Sequence, residues 1–423
     1  MEQPCTSALS KKMSALQNIS FDLKQLRQQK TKMTLPLEEL TRPRLKIAIV
    51  TETWPPEING VAHSLLQLCK GLKKQGHKIL LIRPEQKGIC AEFQPYRECL
   101  VKAQRIPKYS GLQFGWPQFL KVRQAMEVFE PDVVHIVTEG PLGLAAQQTA
   151  RSLEIPVSSG FHSSFQEFSR FFDLAFLLKS IQHYLKWFHN HSEITCVPSR
   201  ETAEALRKFG VTGPLVVVGR GVDTQAFSPK WRSDSLRQSW GASKETRVML
   251  YVGRLSPEKE IPVVIQAYFT LRQMHCQDVR LVVVGDGPDR QRLEQLNHDG
   301  SIIFTGSLRG QQLAEAYASA DIFCFASQVE TFGNVVLEAM ASGLPVIAYD
   351  YACAHLHIQH DRTGWLSLLG QEHDLTANIL KLPDYHTLRK MGVYASQCAE
   401  KVGWQHPVAQ FEQVLYSITR QNK

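Results

Sequence analysis

The stretch Glu330-Thr-Phe-Gly-Asn-Val-Val-Leu-Glu338, running on into Ala339-Met-Ala-Ser-Gly343-Leu-Pro345-Val-Ile, constrains the fold more than any other in the chain. Just before it, Asp321-Ile-Phe-Cys-Phe-Ala326 is short, apolar, aromatic and β-branched, which predicts a buried strand. A polar loop with Gly333 and Asn334 follows. Val335 to Ser342 is helix-compatible, Gly343 stops it, and a new strand begins at Val346. A strand–loop–helix unit with glycine at the turn aims free backbone N–H groups, and the positive end of a helix dipole, at one spot that suits a phosphate. Two carboxylates flank that spot, eight residues apart. Glu338 lies one turn past Asn334, within about 6 Å along the axis, and Glu330 precedes the turn. Both repel phosphate, so both are suited to accepting hydrogen bonds from hydroxyls such as those of a ribose and a sugar. The spacing alone leaves a second reading open, two solvated glutamates bracketing a helix start.

A chain of 423 residues is too long for one comfortable core and suits two or three domains. With 43% hydrophobic and 21% charged residues it reads as an ordinary globular protein rather than a disordered one. The net charge of +8 favours anionic partners, whether nucleotides, acidic lipid surfaces or nucleic acid, without choosing among them. Nine cysteines are scattered from Cys5 to Cys398 with no C-x-x-C pair. That predicts neither a disulfide framework nor a zinc site, and a reducing cytoplasm is expected. No apolar run approaches the roughly 18 residues of a membrane span, and no hydrophobic signal core opens the chain.

Residues 1–43 read as an N-terminal extension. Met13, Leu16, Ile19, Leu23 and Leu26 fall at helical spacing among Lys11, Lys12, Lys24, Arg27 and Lys30. This is the pattern of a basic amphipathic helix on an anionic membrane, or of an extension without fixed order. From Leu45 strands and helices alternate. Leu45–Val50 leads through Thr51-Glu-Thr-Trp-Pro-Pro56 to Asn59-Gly60-Val61, which opens a helix through Leu72, and a strand follows from Lys78. Further strands are read at Val133–Val137, near Pro156-Val157, at Ile194–Val197 and at Leu215–Val218, with Ser199 as an N-cap. The pattern restarts at Arg247–Val252, with further strands at Val279–Val284 and Ile302–Phe304. Two doubly wound parallel domains of Rossmann type are predicted, 44–219 and 220–403, with ligand in the cleft at the strand C-terminal ends. The joint falls near Arg220–Phe227, and 404–423 is expected as a C-terminal crossover helix.

Arg254 and Lys259 lie five apart on one strand-end loop, where two cations can clamp a diphosphate and stabilise it as a leaving group; a solvated basic loop is the plain alternative. Gly60 opens a helix whose N–H groups can face the same cleft. His162, in Gly160-Phe-His162-Ser-Ser-Phe165, follows a strand and points to the same edge. Gly285-Asp-Gly287-Pro288 lacks G-x-G-x-x-G, and a β–α turn explains it. No D-x-D occurs, so no aspartate pair is visible to hold Mg²⁺ or Mn²⁺ on a donor diphosphate. Phe171, Leu174, Leu178, Ile181, Leu185 and Phe188 form a helical stripe. Arg170, Lys179, Lys186, Phe172, Phe176, Tyr184 and Trp187 around it exceed what one buried face needs and suit a membrane interface.

Taken together these residues resemble the retaining GT-B glycosyltransferases of family 4, which use nucleotide-sugar donors. The carriers are the Glu330/Glu338 pair with Phe332-Gly333-Asn334, Gly253-Arg254 with Lys259, the Gly60 loop, Phe161-His162 and the interdomain Arg220-Gly-Val-Asp223. The sequence is most similar to GDP-mannose-dependent α-mannosyltransferases and resembles bacterial diacylglycerol glycosyltransferases. The resemblance implies a GT-B fold, two Rossmann-like domains facing a cleft. It implies that Glu338 binds the donor ribose and Glu330 the sugar hydroxyls. Arg254 and Lys259, with backbone N–H groups of Gly333, Asn334 and Val335, would hold the diphosphate, and His162 would contact the sugar. It further implies front-face attack without a protein nucleophile, no metal and no cofactor beyond the donor, GDP-mannose or a UDP-sugar.

The expected protein is a cytoplasmic, peripheral hexosyltransferase on the inner membrane face. Its expected partners are the donor, a lipid or glycan acceptor and an anionic membrane surface, but not nucleic acid. An oligosaccharide or polysaccharide transferase and a nucleotide-sugar epimerase are the alternatives. The chain departs from the family after Ala348, where a Gly-Gly-Pro-Glu-like loop is replaced by Tyr349-Asp-Tyr-Ala-Cys-Ala354.

Overall fold

The computed structural model describes residues 43–57, 59–86, 88, 90–105, 113–162, 175–274, 278–419. The basic helix read in residues 1–43, and Arg170, Phe171, Phe172 and Leu174 of the aromatic stripe, lie outside them.

The first sheet is built from β1 (Lys46–Val50), β2 (Lys78–Pro84), β3 (Arg97–Val101), β6 (Val133–Ile136), β7 (Val157–Gly160), β8 (Ile194–Val197) and β9 (Leu215–Val217). A short antiparallel pair, β4 (Ala103–Arg105) and β5 (Gln113–Gly115), stands beside it. The second sheet is built from β10 (Arg247–Val252), β11 (Val279–Val284), β12 (Ile302–Gly306), β13 (Ile322–Phe325), β14 (Val346–Tyr349) and β15 (Gly364–Ser367). Strand order is β3-β2-β1-β6-β7-β8-β9 in the first and β12-β11-β10-β13-β14-β15 in the second, parallel throughout. Strands such as Ile47–Val50 and Met249–Tyr251 are apolar end to end because helices cover both faces.

Four helices shape the cleft: α1 (Gly60–Lys74), α2 (Pro141–Ser152), α3 (Asn334–Ala341) and α4 (Gln405–Thr419). The chain crosses between the halves twice. At the first crossing Val222 N–H donates to the Val402 carbonyl of the second at 2.9 Å. Gly221 lies so close to Gly403 that a Cβ on it would stand 2.7 Å from the Gly403 carbonyl carbon. After the second crossing α4 returns to the first sheet, where Val408, Phe411 and Leu415 share one core with Leu65, Leu68 and Leu72 of α1. Gly71 makes room for this, since a Cβ there would fall 2.3 Å from Val408 Cγ2.

The sequence reading placed the strands of both sheets apart from β3 and β15. It also passed over the β4–β5 pair and the helix Phe119–Phe129, whose segments show little periodicity. Helix ends moved by one or two residues, as with α3, which begins at Asn334 rather than Val335.

One buried charge fixes the switch-point strands of the second domain. Asp321, at the foot of β13, accepts from Arg232 Nη2 and Arg237 Nη1 at 2.8 Å each and from Val248 N–H of β10 at 2.9 Å. Replacing Asp321 by Ala strands two arginines in the core and is expected to cost about 3–5 kcal/mol of stability. Urea unfolding checks this, and a loss below about 1 kcal/mol would contradict it.

Candidate active site

Both sheets reverse their order at one point, between β1 and β6 and between β10 and β13. Ligands of doubly wound folds lie beyond the strand ends at such a point. Loops leaving β1, β7, β10 and β13 carry the residues singled out in the sequence.

In the second domain, the loop after β10 holds Arg254 and Lys259. Gly285 and Gly287 let the neighbouring loop press against it, because a Cβ on either would collide with the Gly253 or Leu255 carbonyl oxygen. Lys259 does not point outward. Its ammonium donates to Glu330 Oε1 at 2.5 Å, to the Val329 carbonyl at 3.1 Å and to Ser327 Oγ at 3.2 Å, which uses all three of its hydrogens. Arg254 is exposed, and among the described residues its guanidinium has no partner. The two cations are therefore not a matched pair. Arg254 is free for a diphosphate, whereas Lys259 braces the carboxylate of Glu330.

Gly333 takes the left-handed conformation, φ 90°, and α3 starts at the next residue with no side-chain cap. The first-turn N–H groups of Asn334 and Val335 thus remain for a ligand. Glu338, one turn on, accepts from the Tyr317 hydroxyl at 3.0 Å. Burial holds its carboxyl above the ordinary carboxylate range, opposed in part by His63 of α1 in the first domain and by the Tyr317 bond. The replaced loop after β14 stands behind Glu330. There the Tyr351 hydroxyl donates to the Ser327 carbonyl at 2.9 Å.

In the first domain Asn59 caps α1 by accepting from Ala62 N–H at 2.8 Å. Nothing lies within 4 Å of a Cβ built on Gly60. Protein sterics therefore do not require glycine there. Two hydrogen bonds cross the cleft here: Asn334 Nδ2 donates to Ser64 Oγ of α1 at 3.1 Å, and Thr331 Oγ1 donates to the His162 carbonyl at 2.9 Å. Gly60, His162, Glu330, Gly333, Asn334, Val335 and Glu338 consequently border one cleft. His63, Ser64, Tyr317, Ser327 and Thr331 also serve it and were missed. Of these only His63 carried a readable signal, one helical turn after Gly60 on the same face.

Deeper in the first domain Glu52, at the end of β1, accepts from Leu142 N–H of α2 at 2.9 Å. Burial, with Glu139 adding to it, raises its pKa to about 8. Of the aromatic stripe, Leu185 and Phe188 are core. Tyr184 donates to the Glu139 carbonyl at 2.5 Å, and Lys186 lies over the Phe209 ring. Both therefore face the protein, which corrects the expectation that they belong to a membrane surface. Lys179 and Trp187 remain exposed.

Residues 58–226 match the model of Glycosyltransferase Family 4, and residues 232–397 that of Glycosyl transferases group 1. A GDP-mannose-dependent alpha-mannosyltransferase of Corynebacterium glutamicum is 35% identical over 312 residues, 73% of each chain. The chain belongs to the family 4 glycosyltransferases. An alpha-monoglucosyldiacylglycerol synthase of Streptococcus pneumoniae is 28% identical, covering 80% of this chain and 78% of that one. The sucrose-phosphate synthase of Thermosynechococcus elongatus superposes with a TM-score of 0.71 at 18% identity, over 89% of this chain and all of its own, which shows the shared GT-B fold. This glycosyltransferase thus has the expected two-domain architecture.

Two outcomes follow for the enzyme. Arg254→Ala is expected to cost about 2–4 kcal/mol of transition-state stabilisation with unchanged unfolding. Lys259→Ala should lose activity and also about 1–2 kcal/mol of stability, because it releases a half-buried carboxylate. Turnover and urea titrations separate the two, and equal stability losses would contradict the assignment. Glu52 binds a proton in the folded enzyme that the unfolded chain has released, between the ordinary carboxylate pKa of 4.5 and about 8. Stability should therefore fall as pH rises through that window. Glu52→Gln should flatten the slope, and an unchanged slope would refute it.

Proposed function

We propose that this enzyme moves a hexose of mannose or glucose type from a nucleotide sugar to a hydroxyl of a lipid or glycolipid, with retention of configuration and without a bound metal. The observation that carries the donor reading is the bare N-terminus of α3, with a carboxylate on either side and Arg254 unpartnered on the adjoining loop. The diphosphate meets N–H groups and a guanidinium, Glu338 meets the ribose, and braced Glu330 meets the sugar. His162 contacts the sugar from the opposite wall.

Charge on the departing diphosphate is then stabilised by Arg254 and the helix terminus. The acceptor oxygen bonds to the anomeric carbon as the bond to the β-phosphate oxygen breaks, and that oxygen takes the acceptor's proton. The relatives named for GDP-mannose and for a glucosyldiacylglycerol support a hexose donor and a lipid acceptor. Among the described residues no helix is long and apolar enough to cross a membrane, so a lipid acceptor is met at the bilayer surface. Trp116, Phe119 and Leu120 are exposed next to Lys121 and Arg123, a mixed apolar and basic surface that suits an anionic leaflet.

The test is incubation with GDP-mannose or UDP-glucose, with and without anionic vesicles containing diacylglycerol, in EDTA. Nucleoside diphosphate and glycolipid should appear together and only with the vesicles. Transfer to a water-soluble oligosaccharide instead would replace the lipid reading by a glycan one, conversion of the donor sugar without acceptor would make the enzyme an epimerase, and loss of turnover in EDTA with rescue by Mn²⁺ would overturn metal independence.

A further inference from the structure

His162 is held from two directions. Its backbone carbonyl is bonded to Thr331 of the second domain, and its ring nitrogen Nδ1 lies 2.8 Å from Arg220 Nη2. Arg220 is 7% exposed and sits in the turn where the chain first leaves the first domain. Its Nη1 donates to the carbonyls of Val218 and Gly219 at 3.2 Å each. Among the described residues no carboxylate pairs with it, so its buried charge is directed at the imidazole and at carbonyl dipoles.

A guanidinium has hydrogen-bond donors and no acceptor. The Nδ1 it meets must therefore be the acceptor, which leaves the ring hydrogen on Nε2. An imidazolium would set N–H against N–H at 2.8 Å. We propose that Arg220 is a positioning residue for glycosyl transfer, holding His162 as a neutral ring with its hydrogen on Nε2. This rests on the reading of His162 as a sugar contact.

The surroundings agree. A Cβ on Gly160 would fall 2.5 Å from Nε2, so glycine at the end of β7 gives the ring its place. The other groups facing His162 are themselves occupied: His135 Nδ1 meets Ser158 Oγ at 2.9 Å, and His189 lies between Ser159 Oγ at 3.0 Å and Glu139 Oε1 at 3.3 Å. Burial, then Arg220, then His135 and His189 hold His162 well below the ordinary histidine range. Burial lowers Arg220 only to about 10, with the Cys196 thiol opposing, so it stays charged at neutral pH.

The experiment is two-bond ¹H–¹⁵N NMR on the whole enzyme labelled at histidine, with His162 assigned by His162→Gln. Wild-type His162 should show the Nε2–H tautomer and stay neutral as the pH falls from 8 through the ordinary histidine range. In Arg220→Gln it should titrate nearer the ordinary value of about 6.5, kcat should drop about tenfold with donor KM little changed, and kcat/KM should gain an acid limb. Arg220→Lys, which keeps a cationic donor, should restore the tautomer and most of the rate. A wild-type ring that carries its hydrogen on Nδ1, or titrates near 6.5, overturns the proposal without any variant needing to fold. Full kcat in His162→Gln, with the wild-type spectrum as expected, would instead remove the underlying sugar-contact reading and the proposal with it.

Discussion

The ammonium of Lys259 ties the two loops of the second domain's switch point together. It reaches from the loop after β10 and spends its three hydrogens on Ser327, Val329 and Glu330 of the loop after β13. Without it Glu330 would lose its cation and swing as a solvated carboxylate. With it, Glu330 is fixed before a glycine that turns the chain into α3. The direction of the helix terminus, the position of Glu338 one turn on and the contacts to the first domain all follow from that loop being rigid. A carboxylate neutralised in this way can also stand near a diphosphate without the full repulsion of a bare charge.

The first domain contributes by approach rather than by charge. Ser64 bonds Asn334, the first residue of α3, and the His162 carbonyl accepts from Thr331, so the loop before α3 is touched both from α1 and from the residues after β7. Asn334 Oδ1 is buried with no partner in this arrangement.

Much of this was legible because parallel strands covered on both faces read as continuous apolar runs, and because glycine and carboxylates punctuate their ends. Glu330 and Glu338 could be placed at a phosphate-sized spot from the strand before them and the helix after them. What could not be read was where long side chains turn. Lys259 and Arg254 share a loop in sequence, yet one folds inward to Glu330 and the other stays in solvent, a choice made by Ser327 and Val329 some seventy residues on. Tyr184 and Lys186 look like interface residues on a helical wheel, and it is Glu139 and Phe209, distant in sequence, that draw them inward. Arg220 was visible as part of a turn, while its bond to His162 across 58 residues was not.

The division of labour between the two carboxylates is tested most directly by calorimetry of sugar-free nucleoside diphosphate, GDP or UDP, whichever the wild type binds. Glu338→Ala should weaken binding of that nucleotide, because the ribose loses its acceptor. Glu330→Ala should leave the nucleotide affinity near the wild-type value while turnover with the full donor is lost. The same loss of nucleotide affinity in both variants would contradict the account.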